Sequence, residues 1–240
     1  MSNDEVHARL AALVAEHDLP APAVTQLATI LQLVAGEPTS ITTIRDPAQA
    51  VEAHVADSLA GVATAPVRSA RAIADLGSGG GFPGLVLAAA LPEAHVALVE
   101  SVAKKCAFLS RAAQAAGLQN VAVVNARAEE WDAGRGAHDL VTARALAPLN
   151  VILEYAAPLL ALGGSVVAWK GRRDPAEERD GAAAAERLGL SAPGVVPIPP
   201  RPGADERHLY VSSKVMETPA GYPRRAGIAR KRPIRASSGG

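Results

Sequence analysis

One cysteine, Cys106, stands in 240 residues, so no disulfide can form within the chain, and a reducing compartment is expected. No His/Cys cluster has metal-ligand spacing, so no bound metal is expected. Aromatic residues make up only 3% of the chain, which leaves Phe82, Trp131 and Trp169 as the main side chains on which a base could stack. No apolar run reaches the length that crosses a bilayer. Asp4, Glu5, His7 and Arg9 interrupt the positions where a signal peptide needs a continuous apolar stretch. A cytoplasmic location is the expectation. Acid is missing from the last stretch, where Arg224, Arg225, Arg230, Lys231, Arg232 and Arg235 follow Glu217 with no carboxylate among them. The totals of 24 Lys and Arg and 24 Asp and Glu therefore conceal an acidic body and a basic tail. That asymmetry fits contact with nucleic acid or another anionic surface.

What is present is enough apolar material for a core, 49% hydrophobic against 20% charged. The first sixty or so residues have helical periodicity, with Leu10, Leu13 and Val14 in one segment and Val24, Leu27, Ile30, Leu31 and Val34 in the next. A further helix is expected to carry Val51, His54, Val55, Asp57, Ser58 and Leu59. From Arg71 onward, apolar strand-like segments at Ala72–Asp75, His95–Val99, Val121–Val124, Leu140–Ala143 and Ser165–Trp169 alternate with helical stretches. Those stretches lie around Leu85, from Lys104 to Ala116, from Leu149 to Leu160 and from Pro175 to Leu188. The alternation predicts an α/β fold, a Rossmann-like parallel sheet with helices on both faces. Val195–Ile198 and His208–Val215 flank a proline-rich turn and predict a C-terminal antiparallel hairpin. The expected division is a helical N-terminal cap over residues 1–64, a catalytic domain over 65–217 and a basic, mobile tail over 218–240.

The chemistry concentrates at Asp75-Leu-Gly-Ser-Gly-Gly-Gly-Phe-Pro-Gly84, between the first strand and the first helix of that alternation. Gly77, Gly79 and Gly81 can take positive φ and let a ligand approach the backbone, while the helix start offers unpaired N–H groups. Glu100 closes the next strand, 21 residues beyond Gly79, where a ribose-binding acid belongs. On spacing alone an NAD(P)-dependent oxidoreductase is admissible, and Tyr210-Val-Ser-Ser-Lys214 even matches a short-chain dehydrogenase pair. That pair needs a helix, whereas Leu209–Val215 is rich in strand formers. Asp75, just before the first glycine, could face a ligand ammonium or order the turn through backbone N–H groups. The D-x-G-x-G-x-G pattern resembles the S-adenosylmethionine loop of class I methyltransferases.

Two absences narrow the acceptor. Methylation of an exocyclic base amine commonly uses an Asp/Asn-Pro-Pro-aromatic segment after the fourth strand, and here that place reads Ala143-Arg144-Ala145-Leu146. Methylation at pyrimidine C5 needs a thiolate, yet Cys106 lies in a helical run beside Lys105, Phe108 and Leu109. A ring nitrogen with a free lone pair, such as guanine N7, remains; it needs alignment and desolvation more than a base. No residue is assigned as a general base.

Taken together, Arg45-Asp-Pro47, His54 with Asp57-Ser-Leu59, Asp75–Gly84, Val99-Glu-Ser101 with Lys104-Lys105, Asn125–Glu130, Ala143-Arg-Ala145, Trp169-Lys-Gly171, Glu206-Arg-His208 and Tyr222–Gly227 carry a resemblance over nearly the whole chain. It resembles the bacterial 16S rRNA guanine-N7 methyltransferases of the glucose-inhibited division protein B family (GidB, RsmG). The resemblance implies S-adenosylmethionine as cofactor, 16S ribosomal RNA or the small ribosomal subunit as partner, and guanine 527 in the 530 loop as target. It also implies that Gly77 and Phe82 line the cofactor site, that Ala128 and Glu129 flank the adenine, and that Arg144 orients cofactor or acceptor. Asp75, Gly79, Gly81 and Glu100 complete the expected cofactor residues. Arg127, Lys170, Arg172 and Arg173, at strand ends, and Arg224, Arg225, Arg230, Lys231 and Arg232, in the tail, are the expected RNA contacts. His54 and Asp57, three apart on a helix, fit either a pair closing over the cofactor or a structural cap. The family usually has Asn-Leu-Thr before Arg-Asp-Pro and an arginine before the histidine, where this chain has Thr39-Ser-Ile-Thr42 and Ala53. A catalytically silent RNA-binding or ribosome-assembly factor is the alternative from another functional class.

Overall fold

The computed structural model describes residues 3–38, 40–199 and 206–237. Helices α1 (Asn3–Glu16) and α2 (Ala23–Gly36) form because Leu10, Leu13 and Val14, and then Leu27, Ile30, Leu31 and Val34, recur on one face of each and are buried. Asp46 caps α3 (Pro47–Ala50) by accepting the Gln49 N–H at 3.0 Å, with Pro47 in the first turn. A π-helical turn (Val51–Ala56) leads into α4 (Asp57–Leu59), and α5 (Ala65–Ser69) completes the cap.

The sheet comprises β1 (Ala72–Leu76), β2 (His95–Glu100), β3 (Val121–Asn125), β4 (His138–Arg144), β5 (Leu160–Lys170), β6 (Gly194–Pro197) and β7 (His208–Ser213), in the order β3-β2-β1-β4-β5-β7-β6. The first five strands in that order are parallel, and β7 and β6 close the edge antiparallel. The expected parallel sheet and terminal hairpin are both present; the hairpin's turn lies outside the described residues. Tyr210 and Lys214 fall on β7 and just beyond it, so no helical face joins them.

Helices α6 (Gly84–Ala90) and α7 (Ala103–Ala115) share one apolar layer with the cap, against Ile73, Val96, Leu98, Leu140 and Val167. Helices α8 (Leu149–Ala156) and α9 (Pro175–Leu188) cover the other face, against Ala74, Leu76, Val99, Val141 and Ala143. The cap is thus continuous with the core of the sheet. Strand order reverses between β1 and β4, and in open α/β sheets the crevice at that reversal, beyond the carboxyl ends of the strands, is where ligands bind. Among the described residues no helix is long and apolar enough to cross a membrane.

The expectation of a mobile tail is overturned for residues 218–237; residues 238–240 lie outside the described ones. Arg224 forms an ion pair with Glu154 of α8, which is only 1% exposed, its Nε donating to Oε1 at 2.8 Å. Ala229, in the short helix α10 (Ile228–Lys231), and Ile234 are buried in the same layer as α8 and α9. Asn150 Nδ2 donates to the Ile234 carbonyl at 2.6 Å. The composition of this stretch predicted mobility; two apolar side chains and one buried carboxylate decide otherwise. Arg224→Ala leaves Glu154 buried without its cation and is expected to cost about 2 kcal/mol, reduced from the fully buried case because the arginine is partly exposed. Urea unfolding checks this, and an unchanged midpoint would show that the tail is not a fixed part of the fold.

Candidate active site

Gly77, Gly79 and Gly81 hold φ of +65°, +55° and +91°, so the loop uses the conformations its glycines permit. They face different surroundings. The Leu146 side chain occupies the space a Cβ on Gly77 would need, and Leu85 that of Gly81, whereas the nearest atoms to a Cβ on Gly79 are carbonyl oxygens 3.6 and 3.9 Å away. Gly79 is therefore the point where the loop is open to a ligand. Its N–H donates to Glu100 Oε2 at 3.1 Å, and the other oxygen of that carboxylate accepts the Val102 N–H at 2.9 Å. Glu100 sits at the expected strand end and braces the loop.

Asp75 resolves its two readings in favour of ordering the turn. It is 1% exposed and accepts Thr142 Oγ1 at 2.8 Å and the Gly84 N–H at 3.2 Å. Burial pushes its carboxyl up to about 6, against hydrogen bonds that pull the other way. Thr142 had no assigned role in the sequence. Its signal was a polar residue among the apolar Leu140, Val141 and Ala143, and the β1–β4 register sets it directly opposite Asp75.

The cap supplies the other wall. Arg144 Nη1 donates to the Ala53 carbonyl at 3.0 Å and to Asp57 Oδ2 at 2.9 Å, and Nη2 lies 3.1 Å from His54 Nδ1. A guanidinium only donates, so Nδ1 carries no proton and the histidine's N–H is on Nε2. That nitrogen lies 3.1 Å from the Ile44 carbonyl and 3.0 Å from Thr42 Oγ1. The His54 ring stacks on Phe82 at 4.4 Å between centroids, and the Arg144 guanidinium lies 5.5 Å from the same ring. His54 and Asp57 are thus brought together with Arg144 and Phe82, as a clamp between cap and sheet.

A cleft of about 510 Å³ opens between these walls, lined by Ile41–Ile44, His54, Asp57, Gly77–Gly80, Arg144–Ala145, Lys170–Gly171 and Arg207. Ala145, at φ +52°, lies on its edge. A left-handed conformation costs a non-glycine residue roughly 1–2 kcal/mol and is held only where neighbours fix it. Lys170 helps to do so, donating from Nζ to the Ala147 carbonyl at 3.2 Å and pairing with Glu177 at 2.6 Å. Thr42, Lys105 and Arg207 line the cleft without having been assigned a role; Lys105 and Arg207 lay within quoted motifs, and Thr42 within a departure from the family pattern.

Other expected residues fall elsewhere. Glu100, Ala128 and Glu129 do not line this cleft: Glu100 is the last residue of β2, and Ala128 and Glu129 follow β3, where Glu129 Oε1 accepts the Gly227 N–H at 2.9 Å. Arg127, Arg172, Arg225, Arg230, Lys231 and Arg232 are exposed. Arg224 is committed to Glu154 and Lys170 to Glu177, so neither is a free phosphate contact. Of the stacking candidates, Trp169 is 2% exposed, its indole N–H donating to the Asp57 carbonyl at 2.8 Å. Trp131 packs against Gly134 and His138, and Phe82 is already covered by His54.

Burial and the Arg144 cation hold His54 down at about 4, below the ordinary 6.5. The unfolded chain therefore protonates first, and His54 withdraws stability as pH falls from 6.5 towards 4. Asp75 has the opposite sign. Raised from 3.8 to about 6, it adds stability as pH falls through 6 and loses it on the way back up. Between about pH 7 and 5 the two contributions are of order 2 and 1 kcal/mol and largely offset each other. Relative to wild type over that interval, Asp75→Asn should lose about 1 kcal/mol and His54→Gln gain about 2. Urea unfolding at both pH values measures this, and parallel behaviour of all three proteins would contradict the assignment.

A family model described as rRNA small subunit methyltransferase G matches residues 22–196. The ribosomal RNA small subunit methyltransferase G of Rubrobacter xylanophilus is 45% identical over 197 residues, covering 80% of this chain and 76% of that protein. The protein of the same name from Roseiflexus castenholzii is 44% identical over 198 residues, covering 81% and 84%. Among solved structures, the S-adenosylmethionine-dependent methyltransferase SibL superposes with a TM-score of 0.59 at 16% identity, covering 89% of this chain and 76% of that one. A predicted O-methyltransferase from Agrobacterium tumefaciens gives 0.52 at 23% identity, covering 67% and 81%. The structural likenesses establish the Rossmann-like class I methyltransferase fold. Joined to a match that runs from the cap through the glycine loop and the Arg144 clamp, the sequence identities mean that this chain belongs to the rRNA small subunit methyltransferase G family.

Proposed function

We propose that the protein transfers the methyl group of S-adenosylmethionine to N7 of a guanine in small-subunit ribosomal RNA, with guanine 527 the target that family resemblance favours. The observation that carries this reading is the open Gly79 backbone at the β1–β4 reversal, facing a cleft in which His54, Asp57, Arg144 and Lys170 are already paired. When bound, S-adenosylmethionine supplies a methyl carbon made electrophilic by its sulfonium.

The residues present fit that cofactor. Gly79 leaves the space a side chain would fill. Arg144 spends three hydrogen-bonding contacts on Ala53, Asp57 and His54, and with five N–H groups it retains donors suited to the methionine carboxylate. Glu100, at the end of β2, and Ala128 and Glu129, beyond β3, are the groups we assign to the ribose and adenine.

Catalysis by this chain is orientation in a water-poor cleft. The clamp matters for what it withholds: a guanidinium donating to N7 would occupy the lone pair that must attack, and Asp57, Ala53 and His54 hold Arg144 against the cap. No thiolate enters, since Cys106 is buried, its thiol is raised by that burial, and its Sγ donates to the Glu100 carbonyl at 3.2 Å. The exposed bases of the tail and Arg127 and Arg172 are the candidate phosphate contacts.

The oxidoreductase reading fails on an electrostatic ground. A dinucleotide's pyrophosphate needs the first N–H groups of α6, and here Gly84 N–H is already taken by the Asp75 carboxylate, a group that repels phosphate. Incorporation of tritiated methyl from S-adenosylmethionine into small-subunit RNA lacking the modification, followed by cleavage at 7-methylguanine, tests the proposal. Naked RNA and assembled subunits form its two arms, and no incorporation in either would leave the silent RNA-binding factor as the better reading. Gly79→Val places a β-branched side chain at positive φ in the open part of the loop. It should abolish cofactor binding by calorimetry while the circular dichroism spectrum stays near native; retained binding would overturn the loop assignment.

A further inference from the structure

The docked tail does more than present charge. It is pinned before the crossing by Arg224 on Glu154 and after it by Ile234 on Asn150 and by Ala236, whose N–H donates to Asp180 at 3.0 Å. Between these points it touches both halves of the site. Gly227 N–H donates to Glu129 at 2.9 Å, and Arg230 Nη2 donates to the Leu146 carbonyl at 2.9 Å. The buried Tyr155 hydroxyl lies in the field of both Glu129 and Arg230.

Leu146 is the residue through which that contact would act. Its side chain fills the space left by the missing Cβ of Gly77, so it bears directly on the glycine loop. The residue before it, Ala145, sits at φ +52° on the edge of the cleft, and the carbonyl after it, of Ala147, is held by Lys170. Two cations thus grip consecutive carbonyls of the turn between β4 and α8, one from the sheet and one from the tail.

We propose that Arg230 is a positioning residue for methyl transfer, acting through the Leu146 carbonyl on the glycine loop and on the cleft edge at Ala145. This rests on the cofactor reading above. It also separates Arg230 from the other exposed bases of the tail: Arg225 has no hydrogen-bonded partner for its side chain among the described residues and serves RNA phosphate alone.

The test uses full-length protein and two readouts, the Kd for S-adenosylmethionine without RNA and the split between kcat and the KM for small-subunit RNA. Arg230→Ala should raise the cofactor Kd about five-fold, since the lost charge-assisted hydrogen bond is solvent-exposed and acts on the site only through Leu146. It should also lower kcat at saturating RNA. Arg230→Lys, which can still reach a single carbonyl, should restore most of both. Arg225→Ala should raise the KM for RNA and leave the cofactor Kd where it was. An Arg230→Ala protein that binds cofactor like wild type and shows only a raised KM would overturn the proposal and make Arg230 a phosphate contact. If wild type itself binds no S-adenosylmethionine, the cofactor reading falls, and this inference with it.

Discussion

One buried carboxylate holds the candidate site together. Asp75, next to the last residue of β1, receives a hydroxyl from β4 and the first N–H of α6, and so joins the three elements that meet where the strand order reverses. Without it the start of α6 would have an unanswered donor and the seam between β1 and β4 an unanswered threonine, both inside the core. The glycine loop can be open at Gly79 because its backbone is fixed there by Glu100 and at the Gly84 end by Asp75. Rigidity of the support is what makes an exposed stretch of backbone usable for binding.

The second organising feature is the Arg144 clamp. A cation at the end of β4 is met by a carboxylate, a carbonyl and a neutral imidazole from one cap segment, with an aromatic ring beneath. Each partner satisfies part of a group that would be costly to bury alone. The histidine has to be neutral for this arrangement, since an imidazolium would face the guanidinium with like charge; its depressed protonation is therefore a condition of cap closure. Trp169 adds a second tie, its indole lodged against Gly61 and bonded to the Asp57 carbonyl.

The sequence made the sheet legible because its signals are local: five strand-like runs, glycines at one turn, and helices that alternate with them. The site was legible where a motif carried it, as at Gly79, Glu100 and the His54–Asp57 spacing. What could not be read were pairings across long separations. Thr142 opposite Asp75, Leu146 on Gly77 and Glu154 beneath Arg224 are each ordinary residues until the fold sets them beside a partner. Composition misjudged the tail for the same reason. Arginine-rich segments are solvated by default, and only the burial of Ala229 and Ile234 and one carboxylate reverses that.

The long reach of the cap contacts sets an order of events. Asp57 meets Arg144 across 87 residues, and its carbonyl meets Trp169 across 112. During synthesis the helices of the cap are made first, yet the side chains that close them emerge only with β4 and β5. Loop closure over such distances is slow and favours folding after most of the chain is available. The apolar faces of α1 and α2 pack on each other, and α2 also packs on α6 and α7. The cap wall of the cleft is therefore held by residues of β4 and β5, so that the fold and the candidate ligand site depend on the same contacts.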